Sequence, residues 1–331
     1  MHHSIKDFLQ NNGIDYICNV SMREKTWIHR GPVVPFYIIP KTSAEFEHII
    51  RFFFTSNIRF KVVGYTSNIY MLDSLQIDAI VTTIKLNNYI FENGVLKCDT
   101  GVGVSKLSRI CVSNGYKGFE GLIDLPGTVG SAIVNNSSCF QCSISVLLQS
   151  AMVLEYNYDG IIEKKQVDKE YFRFSHRNSV IKSGQKKTII LSIALSLCKV
   201  DNVNYLKEIA DNNSKRRKNE QEGPWQNLGS VYSSRTLKPF NCLSFGFHKF
   251  PLVITYKVIN RLFSNNIKKI QNIKTKILLK LYGYEDVFHY VSSKNLNCFI
   301  WKDENADSKF LRYDEFMNHC FICKKEIEVL K

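Results

Sequence analysis

Leu125-Pro126-Gly127-Thr128-Val129-Gly130-Ser131-Ala132-Ile133-Val134-Asn135-Asn136 is the stretch on which the reading of this chain turns. Pro126 fixes its own φ and has no N–H, while Gly127 and Gly130 carry no Cβ and tolerate φ > 0. Such a segment lets the backbone lie against a ligand and aim N–H groups at phosphate oxygens. The run Ser131-Ala132-Ile133-Val134 is helix-like, and a helix N-terminus favours negative charge. The competing reading is a tight turn before a buried helix.

Outward from this stretch the elements are mixed. Val33 to Ile39 reads as a strand, and Ser43 as the cap of a helix over 44–56 with Phe46, Ile49, Ile50, Phe53 and Phe54 on one face. Arg59 to Gly64 alternates like a strand, Ala79 to Ile84 is β-branched, and Val95 to Gly103 leads into a helix around 105–113. Strands follow near 153–156 and 189–197, then a charged helix or linker over 201–219. Lys269 to Leu279 has the pattern of a basic helix with Ile270, Ile273 and Ile277 toward the core. The fold class is α+β, with a composition shift near Asp201.

The chain has 331 residues, 44% of them hydrophobic, with 22 Phe and 16 Tyr, enough for two or three cores. The net charge of +14 invites a polyanion partner, but apart from Lys215-Arg216-Arg217-Lys218 and 268–280 it is spread out. No nucleic-acid motif accompanies it, so solvated lysines explain the charge and no nucleic-acid partner is expected. Ten cysteines include Cys139-Phe140-Gln141-Cys142 and Cys320-Phe321-Ile322-Cys323. Two such pairs can hold zinc, but they are far apart and read as ordinary small apolar residues, so no metal is expected. Met1 to Asp7 has no secretory pattern, which points to a cytoplasmic protein with reduced thiols. The longest apolar run, Ile189 to Cys198, is too short to span a bilayer, and no membrane partner is expected.

Several separated segments share one order. Val62-Val63-Gly64-Tyr65-Thr66-Ser67-Asn68 is a strand and turn. Gly118 to Ala132 contains the Pro-Gly-Thr-Val-Gly run, and Asn136 follows it. Phe174-Ser175-His176-Arg177-Asn178-Ser179-Val180-Ile181-Lys182 carries an arginine in a polar loop. Asn227-Leu228-Gly229-Ser230-Val231-Tyr232 carries a Gly-Ser turn, and Lys324-Lys325-Glu326-Ile327-Glu328-Val329 closes the chain. Together they resemble the UDP-N-acetylenolpyruvoylglucosamine reductase (UDP-N-acetylmuramate dehydrogenase) family. The matched patterns are its G-G-G-S-N loop, G-x-P-G-T-V-G-G-A signature, Y-R-x-S-x-F-K stretch, G-S-x-F segment and closing L-x-x-E-[VI]-x-[VI] strand. The chain departs from them at Tyr65 and Thr66 in place of glycines, His176 in place of tyrosine, and Ser233-Ser234-Arg235 after the Gly-Ser turn; Lys294 to Trp301 stands where the family has K-H-x-N-F-I-x-N, a segment linked to substrate contacts, with Asn295 in place of its histidine. Side chains at 65 and 66 either crowd a pyrophosphate or force another loop shape.

The resemblance implies an FAD-binding domain of the vanillyl-alcohol-oxidase/PCMH type over 1–200, with subdomains of about 1–85 and 86–200. A C-terminal substrate domain would span 201–331, its last strand returning to the active site. It implies an enzyme reducing UDP-N-acetylglucosamine enolpyruvate to UDP-N-acetylmuramate for peptidoglycan, with FAD and NADPH, as a monomer or weak dimer. The cofactor-binding residues it implies are Gly64, Tyr65, Thr66, Ser67, Asn68, Pro126, Gly127, Thr128, Val129, Gly130, Ala132 and Asn136. The catalytic ones are Arg177 for the substrate carboxylate and enolate, Ser230 as proton donor to carbon, and Glu326 as acid/base, with Glu328 as the alternative register. On a strand Glu326 and Glu328 would face one side together. The departures keep two alternatives open: a divergent flavoprotein acting on another nucleotide sugar or glycan precursor, and a flavin-free, non-catalytic homologue.

Overall fold

Alternating burial along Val33–Ile38 and a four-residue apolar face on the next helix organise the first third of the chain. The computed structural model describes residues 2–157, 160–223, 226–233, 238–239, 273, 275–280 and 282–331. Helix α1 (His2–Asn11) buries Ile5 and Leu9, one turn apart. Strands β1 (Tyr16–Ser21) and β2 (Val33–Ile38) pair antiparallel, and β3 (Phe60–Val63) and β5 (Ala79–Thr82) extend the sheet in parallel, in the order β1-β2-β5-β3. Strand β4 (Ile69–Met71) stands apart from this sheet. Helix α2 (Ser43–Thr55) buries Phe46, Ile49, Ile50 and Phe53, each burial stabilising by about 1.5–3 kcal/mol. Its cap is Thr42 rather than the expected Ser43. Thr42 accepts from Glu45 N–H, while the Ser43 hydroxyl donates to Asp99 at 3.0 Å.

A second, wholly antiparallel sheet has the order β12-β11-β13-β7-β6. Its strands are β6 (Tyr89–Glu92), β7 (Val95–Asp99), β11 (Leu148–Tyr156), β12 (Ile162–Asp168) and β13 (Lys187–Ser196). Leu154 and Leu191 of this sheet join the core formed with α1 and α2. Helices α3 (Val104–Ser113), α4 (Val129–Asn135), α5 (Ile144–Leu147) and α6 (Val203–Glu220) contribute to a core with this sheet's other apolar residues. Short pairs complete the region: β8 (Tyr116–Lys117) with β14 (Cys198–Lys199), and β9 (Ser138–Cys139) with β10 (Cys142–Ser143). The first C-x-x-C therefore closes a hairpin whose turn residues, Phe140 and Gln141, are left-handed. Arg216 and Arg217 of the basic run lie over the Phe140 ring at 5.2 and 5.4 Å.

The C-terminal region builds a core around α7 (Ala306–Cys320), which buries Ala306, Phe310, Tyr313, Phe316, Met317 and Cys320 with Phe299 and Trp301, joined by Ile28 and Tyr70 of the first region. Strand β15 (Lys238–Pro239) pairs with β16 (Phe321–Ile322). Residues 275–280 are helical with Leu278 and Leu279 buried, but Ile273, expected in the core, is 45% exposed. The rest of the expected basic helix, 269–272 and 274, lies outside the described residues, as do Ser234 and Arg235. The chain then returns to the first region. Strand β17 (Glu328–Leu330) pairs in parallel with β4, in the register Glu328↔Ile69. Among the described residues no helix is long and apolar enough to cross a membrane, and no group of three His, Cys, Asp or Glu is placed to hold a metal.

Candidate active site

A cavity of about 560 Å³ lies where β3, α4 and β13 converge. Of the residues expected to bind cofactor, Gly64, Thr66, Ser67, Asn68, Thr128 and Gly130 line it. Tyr65, Pro126, Gly127, Val129, Ala132 and Asn136 do not. Tyr65 is 41% exposed with its hydroxyl against Gly103, and Thr66, the next residue, adopts φ +56°. The Thr66 hydroxyl donates to Tyr65 O and accepts from Trp27 N–H, so this side chain braces the turn. Val129 and Ala132 face the core. Asn136 is the left-handed cap of α4 and donates to Ser175 O at 2.7 Å, tying the cavity wall to the loop that carries Arg177.

The helix N-terminus behaves differently from the expectation. Thr128 and Ser131 form a capping box, Val129 N–H donates to Val102 O, and Gly130 N–H donates to Thr100 O. The first N–H groups of α4 are thus engaged inside the protein. Free donors are found instead in the 64–68 loop. Among the described residues, the N–H groups of Tyr65, Thr66, Ser67 and Asn68 have no hydrogen-bond partner. Successive free N–H groups in a turn suit an anion. The two glycine loops also touch: a Cβ on Gly64 would lie 2.5 Å from Thr128 Oγ1. Lys61, Lys186 and Lys187 add positive charge to the lining, partly answered by Glu328, which pairs with Lys61. This cradle fits the diphosphate of FAD. Thr100, Ser131, Asn135 and these lysines were not expected from the sequence, since each reaches the cavity from a separate element and leaves no local spacing signal.

Arg177, Ser230 and Glu326, the expected catalytic residues, are not among those lining the cavity, but Arg177 and Glu326 meet each other. Arg177, itself at φ +55°, sits with Nε 2.9 Å from Glu326 Oε1, and both side chains are largely buried. Burial raises the Glu326 carboxyl above the usual carboxylate range, opposed by the charges of Arg177 and Lys182. The Lys182 ammonium donates to Glu326 O at 2.9 Å. Glu326 N–H donates to Val231 O at 2.8 Å, which brings the residue after Ser230 against the glutamate's main chain. Ser230 is half-buried, and Gly229 before it takes φ +70° at the turn. The strand begins only at Glu328, so Glu326 and Glu328 do not share one regular face: the first meets Arg177, the second Lys61. His176 remains within hydrogen-bonding or electrostatic contact of its neighbours.

Residues 34–157 match the family described as FAD binding domain. UDP-N-acetylenolpyruvoylglucosamine reductase of Caldicellulosiruptor bescii is 26% identical over 225 residues, 68% of this chain and 70% of that protein. The enzyme of the same name from Thermosipho melanesiensis is 29% identical over 228 residues, 68% of this chain and 74% of that protein. The crystal structure of UDP-N-acetylenolpyruvylglucosamine reductase (MurB) from Thermus caldophilus superposes with a TM-score of 0.65 at 15% identity. It covers 96% of this chain and 99% of that one, a likeness that speaks to the fold. The match of an FAD-binding domain, the relatives and the shared fold agree: the chain is an FAD-dependent oxidoreductase similar to the UDP-N-acetylenolpyruvoylglucosamine reductases.

Proposed function

We propose that the protein reduces the enolpyruvyl ether of UDP-N-acetylglucosamine enolpyruvate to the lactyl ether of UDP-N-acetylmuramate, with NADPH as hydride donor, in cytoplasmic peptidoglycan precursor synthesis. The observation that supports this reading is the largely buried Arg177–Glu326 pair beside the Ser230 turn, four and two residues in the chain from Ile181 and Glu328, which line the cavity. FAD, when bound, supplies the β-carbon with hydride taken from NADPH. Gly64 to Asn68 would hold its diphosphate. The substrate carboxylate competes with Glu326 for Arg177, whose guanidinium is permanently charged and grips carboxylates bidentately. Burial favours the neutral form of Glu326, which then donates a hydrogen bond to the charge developing on the enolate. Ser230 delivers the proton to the α-carbon. A hydroxyl is a weak acid and works here only when pre-oriented against a strong carbon base. Ser230→Ala is expected to keep reduction of the flavin by NADPH while losing a factor of ~10²–10⁴ in substrate reduction. Wild-type-like turnover in that variant removes Ser230 from the mechanism.

One observation favours a second reading, a flavoenzyme of this family acting on another nucleotide sugar or glycan precursor. Asn295 accepts from Asn297 N–H, Asn297 clamps both the N–H and the carbonyl of Tyr232, and Lys294 donates to the carbonyls of Lys218 and Gln221. The segment that resembles a substrate-binding motif is thus occupied with internal bonds. Flavin-containing protein that leaves NADPH unconsumed with UDP-N-acetylglucosamine enolpyruvate supports this second reading.

A further inference from the structure

Lys182 is a charged side chain that the proposed chemistry does not use, yet it is largely removed from solvent. Its ammonium donates to the main-chain carbonyl of Glu326 at 2.9 Å. Its own N–H donates to Ser179 Oγ, and that hydroxyl donates to Val134 O at 2.6 Å. Lys182 is thereby fixed to the cavity wall on one side and to the returning C-terminal segment on the other. Glu326 is held twice, its carboxylate by Arg177 and its main chain by Lys182. A hydrocarbon of similar length would fill the same space without the cost of burying an ammonium. The charge is therefore explained by its effect on what it faces. Burial lowers the proton affinity of Lys182, while Glu326 and Glu328 oppose that loss.

We propose that Lys182 is a positioning residue for the reduction: it seats Glu326 through the main chain and, as a second cation beside Arg177, sets the pH at which the Glu326 carboxyl gives up its proton. The proposal rests on the functional reading in which protonated Glu326 donates to the substrate. The charged groups facing Glu326 are Arg177 and Lys182, with His176 next to Arg177 in the chain. On its own segment Lys324 and Lys325 precede it and Glu328 follows, the last two engaged by Asp314 and Lys61. The 230–233 segment across from it contributes hydroxyl groups and no charge.

The sign follows directly. Removing a cation favours the protonated carboxyl, so the proton affinity of Glu326 rises. Activity that needs protonated Glu326 falls as pH rises through its pKa, and this alkaline limb moves to higher pH when the cation is lost. An opposite charge within about 4–6 Å is worth about one pH unit or more. The test compares Lys182→Met with Lys182→Arg. In the flavin-loaded enzyme, the limb of kcat against pH with UDP-N-acetylglucosamine enolpyruvate should move up by about one unit in Lys182→Met and return toward wild type in Lys182→Arg. In the flavin-free full-length chain, carboxyl NMR with the Glu326 resonance assigned through Glu326→Gln should show the same displacement. Should Lys182→Met fail to fold, Lys182→Gln keeps a donor for the carbonyl without the charge and is read the same way. A Glu326 titration that does not move overturns the proposal, whatever substrate the enzyme takes. A wild-type enzyme inert toward this substrate overturns the functional reading instead, and the titration then decides on Lys182.

Discussion

Gly64→Ala tests how closely the two loops of the cradle must approach. The added methyl would lie 2.5 Å from Thr128 Oγ1, 2.8 Å from its Cγ2 and 3.2 Å from its Cβ. Thr128 is 1% exposed and its hydroxyl caps α4, so its side chain cannot swing aside without giving up the cap. Overpacking of this kind costs about 1–3 kcal/mol. Gly64 is not left-handed, so alanine also lowers unfolded-chain entropy and returns about 0.4–1 kcal/mol. The single change should therefore destabilise the flavin-free chain by roughly 0.5–2 kcal/mol. Thr128→Ala alone loses the cap, about 1 kcal/mol. In that background the new methyl meets only a Cβ, so the double variant should be more stable than the sum of the singles by on the order of 1–2 kcal/mol. Denaturant unfolding of the four proteins measures this coupling. Additivity within about 0.5 kcal/mol would show that the loops do not press on each other here.

Arg30 is 5% exposed, with Nε 3.2 Å from Asp307 and guanidinium bonds to the carbonyls of His29 and Asp303. Arg30→Met should cost about 2–3 kcal/mol, less than a fully buried pair because Asp307 is one-third exposed. An unchanged thermal midpoint would contradict this. Asp78, at 5% side-chain exposure, is held below the usual carboxylate range by the hydrogen bond from the Arg59 side chain, with a further bond from Arg59 N–H. Its folded pKa lies below its unfolded one, so its contribution is present above about pH 4 and is lost as pH falls through that range. Asp78→Asn should flatten the acid side of the stability profile, and a profile identical to wild type would exclude the carboxylate as its source.

What the sequence makes legible depends on whether the signal is local. Gly64, Thr128 and Gly130 stand in short runs whose glycine spacing implies close backbone approach, and the structure brings these runs together. The apolar face of α2 is likewise written at helical spacing. The glycine pattern leaves the α4 N–H groups open to two readings, and Thr128-Val129-Gly130-Ser131 also has the spacing of a capping box, which engages donors that a phosphate would otherwise use. Tyr65 stands outside the cavity lining, since side-chain direction in a turn depends on backbone angles that the residue type does not reveal. Lys61 and Thr100 could not be found by spacing, because they reach the site from different strands and loops, whereas Lys182 closes the Arg177 stretch and only its contact with the distant Glu326 carbonyl is hidden in the sequence. Glu326 and Glu328 diverge because pairing with β4 begins only at Glu328.

The account stands on a flavin held between the 64–68 and 127–131 loops. The visible absorption spectrum of the purified full-length protein, before and after incubation with FAD, tests this most directly. The account predicts the two-banded spectrum of oxidised flavin at about one FAD per chain, lost when Gly64 is replaced by a bulky residue such as phenylalanine. A colourless protein that takes up no FAD on incubation would contradict it.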